Sequence, residues 1–533
     1  MAVPPTQPTR TVAAEPAVPT RAPRSSVLLD VVLGLLVAVA LPLAIVAIPN
    51  TVSVVAALLP PGVSQIELIR AHGLALPSMV MTVPLAALIV RRLRAAPVLM
   101  AGLTLLAAAD AAGGFADSAL MVGVLRGVHG IGAGLLVPAT LVAVWERSRT
   151  LRAVWAGMLA TSLLAAQALA LWPLDEATSW RVTLQPYPLL TGIALTLAAV
   201  HLVLWLRSGH GAAAPPGPGP AERRRLLLAL VPCVGIAFLA FGTTFDWSPG
   251  LVVLTALLAT VVLAGFAAAG SFEGADGRIL AYAMPTVGIV VLSMAAQVTY
   301  VELRGLGGPG LAALWPAFVL AGVAAVAAAV LVNRLDDAAM SMITAGGLVV
   351  VVAGLCTVRF LLPAVEGPVL IAPFVLLAAG SAVALTSALR LAGVGASLFA
   401  LSLFFPGVLV GFLLGSGIQV ARLKEAVVRS REGASSQALV DAFVGALHLW
   451  ALIGGGLVVV VIVLCALLAR RSAAVRPGAD SGERPDAGPA VQQEARRSPA
   501  TPDAPEGPGT GPVVPSPMPS PEDSAGDGPS SPG

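Results

Sequence analysis

Three side chains carry the strongest chemical signal in this sequence: Asp110, Arg126 and His129, each set among Ala, Val, Leu and Gly. If the surrounding stretches are helices, Asp110 lies roughly 8 Å and Arg126 roughly 12 Å from the same end of two successive antiparallel rods, at about 1.5 Å per residue. A charge at such depth in hydrocarbon costs about 2.5–3.5 kcal/mol on insertion scales, so each should face protein or water. Their similar depths on adjacent helices allow an ion pair between them. A carboxyl that alternates between an ionised, paired state and a protonated, unpaired one would move a proton. His129, one turn from Arg126, is suited to relaying protons or binding a solute. A static salt bridge or an interfacial Asp110 is the plainer reading, and these alternatives stay open from the residues alone.

Gln167 and Glu302 are the next polar positions, candidates for lining a cavity. Gln167 serves equally well as a hydrogen-bonder between helices, and Glu302 as a partner of Arg304 at a wet interface. His72, His201 and His448 stand near the ends of apolar stretches, apart from one another, so no metal site is expected. Cys233, Cys356 and Cys465 fall in three different apolar blocks with no second ligand at metal spacing. The GLGGPG run from Gly305 lacks the strand and helix that flank a nucleotide loop, and no P-loop lysine motif occurs. No nucleophile–base pair emerges. The expectation is therefore a protein without cofactor or metal that is not an enzyme.

The elements that must position these groups follow from composition. Of 533 residues, 57% are hydrophobic and 11% charged, with a mean hydropathy of +0.90; an ordinary soluble protein carries roughly 25% charge. Apolar blocks of about 20 residues match a hydrocarbon core about 30 Å thick, and none alternates with the period of a barrel strand. The fold class read from this is an all-α polytopic membrane protein with fourteen spans. The second span is expected over 65–90, and the last two over 397–420 and 445–469. Residues 1–26 read as a proline-rich disordered head and 472–533 as a disordered tail too poor in apolar side chains to order itself. Residues 207–225 hold GAAAPPGPGP, a linker that divides a first six-helix bundle (27–206) from two extra spans (226–269) and a second six-helix bundle (279–471). An internal echo supports the two halves: VRRLRAAP from Val90 and VNRLDDAA from Val332, each joining two spans.

Arginine placement sets the orientation. Arg91, Arg92, Arg94, Arg147, Arg149, Arg152, Arg207, Arg223 to Arg225, Arg470 and Arg471 all fall on one face, which makes both termini cytoplasmic. The connection from Ala421 to Val444 is a local exception, with Arg422, Lys424, Arg429 and Arg431 on the other face. Lys424 is the single lysine among 31 basic residues, a bias that with abundant Ala, Gly and Pro reads as a high-GC bacterial genome. The expected location is the bacterial plasma membrane, multi-pass. The net charge of +3 gives no reason to expect a nucleic-acid partner.

RGVHGIGAGLLVPATLVAV from Arg126 has the order of an Arg, small residues and a Pro, and it resembles the fourth span of the major facilitator superfamily's fourteen-spanner drug/proton antiporters. His129 stands where a Gln is usual. SWRVTLQPYP from Ser179, YVELRGLGGPGLAALWPAFV from Tyr300 and ALVDAFVGALHLWALIGG from Ala438 are similar to later family segments in the same order, so the resemblance spans about residues 27 to 471. Departures are specific. Of the inward-loop motif Arg92 survives, with Arg334 as its counterpart in the second half; the motif's Asp, the acidic residue of the first span and the fifth-span Gly-Pro signature are absent. The resemblance implies two six-helix bundles plus two extra spans. It also implies a secondary transporter exporting a hydrophobic or amphipathic small molecule by alternating access, with protons as the candidate coupling ion. The missing motif residues keep an alternative open: a transporter-derived protein that no longer transports and serves as sensor or scaffold in the bilayer.

This topology makes a direct prediction. Reporter domains fused at Gly209 and after Arg471 should both report the cytoplasm, and one at Gly433 the outside. A cytoplasmic signal at Gly433 would remove the fourteen-span reading.

Overall fold

The computed structural model describes residues 24–208, 217–242, 247–270, 274–303, 308–364, 366–429 and 435–475. Most of the head and tail segments, residues 209–216 of the linker, and Arg304 lie outside them. Among the described residues every regular element is helical, sixteen α-helices with a few 3-10 turns. In chain order they are α1 (Arg24–Val46), α2 (Gln65–His72), α3 (Ala75–Leu93), α4 (Ala95–Gly113), α5 (Ala119–Trp145), α6 (Arg149–Leu171), α7 (Pro188–Arg207) and α8 (Pro220–Leu228). Then follow α9 (Leu230–Gly242), α10 (Pro249–Gly270), α11 (Gly274–Val301), α12 (Leu311–Val332), α13 (Met340–Leu361), α14 (Ile371–Leu391), α15 (Val394–Arg429) and α16 (Ser436–Val475). They make fourteen rods long and apolar enough to cross a membrane, with α2–α3 and α8–α9 each forming one rod. The chain is a multi-pass membrane protein. A backbone in hydrocarbon must satisfy its own hydrogen bonds, which is why apolar blocks of this length become helices. Serines mark where several begin: Ser118 accepts from the Met121 amide and Ser148 from the Leu151 amide, supplying acceptors for orphan first-turn donors.

Two details go beyond the sequence expectation. The second rod runs through 65–90 as expected, within Gln65–Leu93, but is interrupted between His72 and Ala75, where Gly73 is exposed. The connection from Ala421 to Val444 is mostly helix: α15 has 36 residues and α16 has 40, far more than the roughly 20 that a span needs. Arg422 and Arg429 bridge to Glu425 at 3.4 and 2.5 Å, one turn away on the same exposed surface. Arg422, Lys424 and Arg429, which disturb the orientation rule, thus sit exposed on a helical extension, where charge is cheap.

Contacts group the helices. α5 packs on α3 and α4, α1 on α6 and α7, and α7 on α4; later in the chain α14 packs on α12 and α13, and α11 on α15 and α16. Between the two groups, α6 meets α11, α12 and α14, while α15 meets α3. α9 touches both α3 and α15, and α10 lies along α15. Glycine sets the closest crossings. A Cβ on Gly130 would stand 2.2 Å from the Ala75 carbonyl oxygen of α3, and one on Gly411 would stand 2.0 Å from the Ile289 carbonyl oxygen of α11. Without a hydrophobic drive between helices in lipid, such backbone approach supplies the van der Waals contact that joins them.

Substituting valine at Gly411 should therefore force α15 off α11 and destabilise the detergent-solubilised protein by at least about 1–3 kcal/mol, the cost of overpacking. Gly192→Ala, where nothing stands within 4 Å of a new Cβ, is the matched control and should leave the melting temperature unchanged or slightly higher. Equal melting of the two variants would refute the close-crossing account.

Candidate functional site

The break in the second rod creates the first part of the site. Helix ends leave carbonyl oxygens without intrahelical donors, and in an apolar setting these need partners. Arg126, buried on α5, supplies them: its Nε donates to the His72 carbonyl at 3.2 Å, the last residue of α2, and its Nη2 donates to the Ala47 carbonyl just beyond α1. Asn50 donates its Nδ2 to the Ile69 carbonyl at 2.8 Å, and His72 Nε2 stands 3.3 Å from the Thr183 carbonyl. One guanidinium thus fastens the ends of two helices, a task its rigid fork of donors suits.

This corrects the Asp110–Arg126 ion pair that their depths allow. Arg126 lies within electrostatic range of Asp110 but makes no ion pair with it. Thr191 on α7 donates to Asp110 Oδ2 at 2.6 Å, and His129 Nδ1 approaches Asp110 Oδ1 at 3.6 Å. The reason is physical: the carbonyls freed by the helix break compete for the guanidinium, and a continuous span would not have offered them. Asp110, Arg126 and His129 do come together, all buried, in one polar cluster at the end of the bundle away from the Arg91–Arg94 turn.

Beside this cluster a cavity of about 730 Å³ opens at the same end. Gln167 of α6, Gln297 and Tyr300 of α11, Asn50, Arg70 and Phe412 line it among many aliphatic side chains. Gln167 and Gln297 are almost entirely buried. The Tyr300 hydroxyl lies close to the side chains of Gln167 and Ser53, yet Gln167 Nε2 has no hydrogen-bond partner among the described residues. A buried amide donor without a partner costs about 1–3 kcal/mol, which a bound polar group would recover. Arg70 is the one charged side chain among the lining residues, and no carboxylate lines the cavity.

The opposite, arginine-rich end is closed. Asp337, in the turn after α12, takes Arg390 of α14 and also Arg149 of α6 at 3.6 Å. Arg390 additionally donates to the Val332 and Leu335 carbonyls, both at 2.8 Å. Arg147 pairs with Asp30 at 2.5 Å, and Arg152 lies 4.6 Å over the Trp145 ring.

The remaining sequence candidates fall elsewhere. Glu302 does not line the cavity: it is fully buried where the chain leaves α11, accepting from the Ala364 amide at 2.9 Å through Oε1. Burial pushes its carboxyl above the usual carboxylate range, and the Ala364 N–H partly offsets this. Its expected partner Arg304 lies outside the described residues. Arg92 lines a groove on the arginine-rich face, whereas Arg334 is exposed and the ion pairs of its turn belong to Asp337. Gln297, Tyr300, Arg70 and Asp337 were not singled out from sequence. Gln297 carried the same signal as Gln167, a lone amide in an apolar span, and Asp337 stood inside the quoted VNRLDDAA.

No protein-family model and no curated protein matches this chain. Among solved structures it is similar to the major facilitator proton:xylose symporter XylE bound to 6-bromo-6-deoxy-D-glucose, at 13% identity and a TM-score of 0.48, over 80% of this chain and 95% of that one. It is similar as well to a bacterial homolog of the human lysosomal transporter Spinster in an inward-facing, unoccupied conformation, at 12% identity and a TM-score of 0.48, over 84% of this chain and 98% of that one.

Proposed function

We propose that the chain is a major-facilitator-type secondary transporter in which 27–206 and 279–471 act as two six-helix halves that rock about the cavity, with 226–269 as an added pair. The observation that carries this reading is the polarity of the bundle: a cavity of about 730 Å³ open at one end, and ion-paired turns drawn together at the other. With the arginine-rich face cytoplasmic, that is an outward-open arrangement. The ordered motif resemblance supports the same reading. Amides and hydroxyls, among them the buried Gln167 and Gln297 and the Tyr300 phenol, with one guanidinium in a mainly apolar lining, favour a neutral or anionic amphipathic molecule, since a lipophilic cation would find no carboxylate. Export is the direction in keeping with the drug-antiporter resemblance.

Proteoliposomes holding the full chain, with an imposed pH gradient, provide the test. Nile red and anilinonaphthalene sulfonate should be moved and ethidium should not. Gln167→Leu combined with Gln297→Leu should lower the rate at least about tenfold, the loss of roughly 1.4 kcal/mol or more of polar recognition, while protein level holds. Unaltered transport in that variant, or ethidium as the favoured probe, would overturn the substrate reading; no gradient-dependent movement of any probe would favour the sensor or scaffold.

We also place the coupling proton on Asp110, whose carboxylate is shared between Thr191 and His129. Asp110→Asn keeps an acceptor for Thr191, so the variant should assemble and exchange solute downhill yet fail to drive it uphill. Arg126→Gln strips two helix ends of their donor and should lower the assembled protein severely. Because the two residues are not partnered, the double variant should do no better than Arg126→Gln alone. Uphill transport by Asp110→Asn would eliminate the coupling role, and rescue in the double variant would restore the ion pair.

A further inference from the structure

The arginine-rich face carries a groove of about 520 Å³ between the last turn of α3 and the short helix α8, lined by Arg92, Arg223, Arg224, Leu227, Pro218 and Pro220. Among the described residues its three guanidiniums have no acid to balance them. Glu222, the only carboxylate of α8, is engaged by Arg91 at 3.1 Å, and Arg94 stacks 5.6 Å over the Trp205 ring, so the neighbouring polar and aromatic groups are already taken. No described acidic group pairs with Arg92, Arg223 or Arg224, and the adjoining GHGAAAPP of residues 209–216 contains no Asp or Glu. Three like charges around one concavity repel each other unless an anion sits between them. The groove also has a greasy shoulder. Leu227 is 40% exposed, Leu228 36% and Leu93 62%, where α8 leads into the apolar rod of α9.

We infer that this groove binds the phosphate of an anionic phospholipid, with Arg92, Arg223 and Arg224 on the headgroup and the leucine shoulder along the acyl chains. Guanidinium forks match phosphate oxygens two at a time, and basic pockets at the cytoplasmic edge of membrane helices take such headgroups. Free phosphate offers the same charge but nothing for Leu93, Leu227 and Leu228, so the lipid is the better fit. The inference concerns ligand retention and does not depend on whether the chain transports anything.

Native mass spectrometry on the full chain tests it, with phosphatidylglycerol, phosphatidylcholine and inorganic phosphate offered separately. One phosphatidylglycerol should be retained in preference to phosphatidylcholine, and millimolar phosphate should not displace it. Arg92→Gln with Arg223→Gln and Arg224→Gln should weaken retention roughly 100-fold, about fivefold for each charge near the surface. The triple lysine variant keeps the charges, controls for folding, and should stay within about threefold of the parent. Arg207→Gln with Arg470→Gln, on the same face outside the groove, should change nothing. Equal retention by the triple glutamine and parent chains would overturn the assignment, as would displacement by phosphate. Retention that appears only after truncation at Val475 would overturn it too, because the acidic tail would then be the occupant.

Discussion

A helix that stops inside an apolar bundle leaves carbonyl oxygens facing no donor, and this constraint organises both ends of the protein. At one end Arg126 gives its guanidinium to the carbonyls of Ala47 and His72; at the other Arg390 gives its own to those of Val332 and Leu335. In both places a long side chain from a neighbouring helix supplies donors to carbonyls at a helix end. The strongest cation in the membrane domain is thereby committed to structure, and Asp110 is left to a hydroxyl and an imidazole. Removing one charge from such a set is severe because the remaining partners stay buried and unsatisfied.

The interactions that join the two groups of helices are of another kind. Arg149 and Asp337 are both more than half exposed, and an exposed pair of this sort is worth about 0–1 kcal/mol. Beside the approach of the Tyr300 hydroxyl to Gln167 and Ser53, close apolar contact joins the groups: a Cβ on Gly157 would stand 2.8 Å from Val326 of α12. Strong, buried, multidentate links lie within each group, and the charge link between groups is weak and wet. Such a distribution lets two bodies separate at one end without either losing its own shape.

Most of the fold was legible because hydrocarbon thickness and helical rise leave little freedom: an apolar block of about 20 residues has one sensible form. What the sequence did not reveal was where a rod would break. The second span reads through Leu74 without a proline, and Gly73 alone is a weak signal of a break, so depth alone points from Arg126 to Asp110. Once the break exists, the carbonyl of His72 outcompetes it. The helical extension of α15 was hidden similarly, since Ala421 to Arg429 is polar enough to read as a loop until Glu425 is seen between Arg422 and Arg429. Gln167 and Asp110 stand out in the sequence because they are lone polar groups in apolar runs. Glu302 stands out for the same reason, but its place at the Ala364 amide, away from the cavity, depends on a distant turn that no local pattern encodes.

The position of α9 and α10 gives the molecule a front and a back. α9 touches α3 and α15 together, and its Ala240 and Phe241 form part of the cavity wall. On that flank an extra rod lies across the seam between the two groups. On the other flank, among the described residues, α6 and α12 meet directly, and the seam ends in the edge-to-face contact of Trp172 with Trp315, the former 43% exposed. The two flanks of one seam are therefore finished differently, one by an added rod laid across it and the other by a pair of indoles.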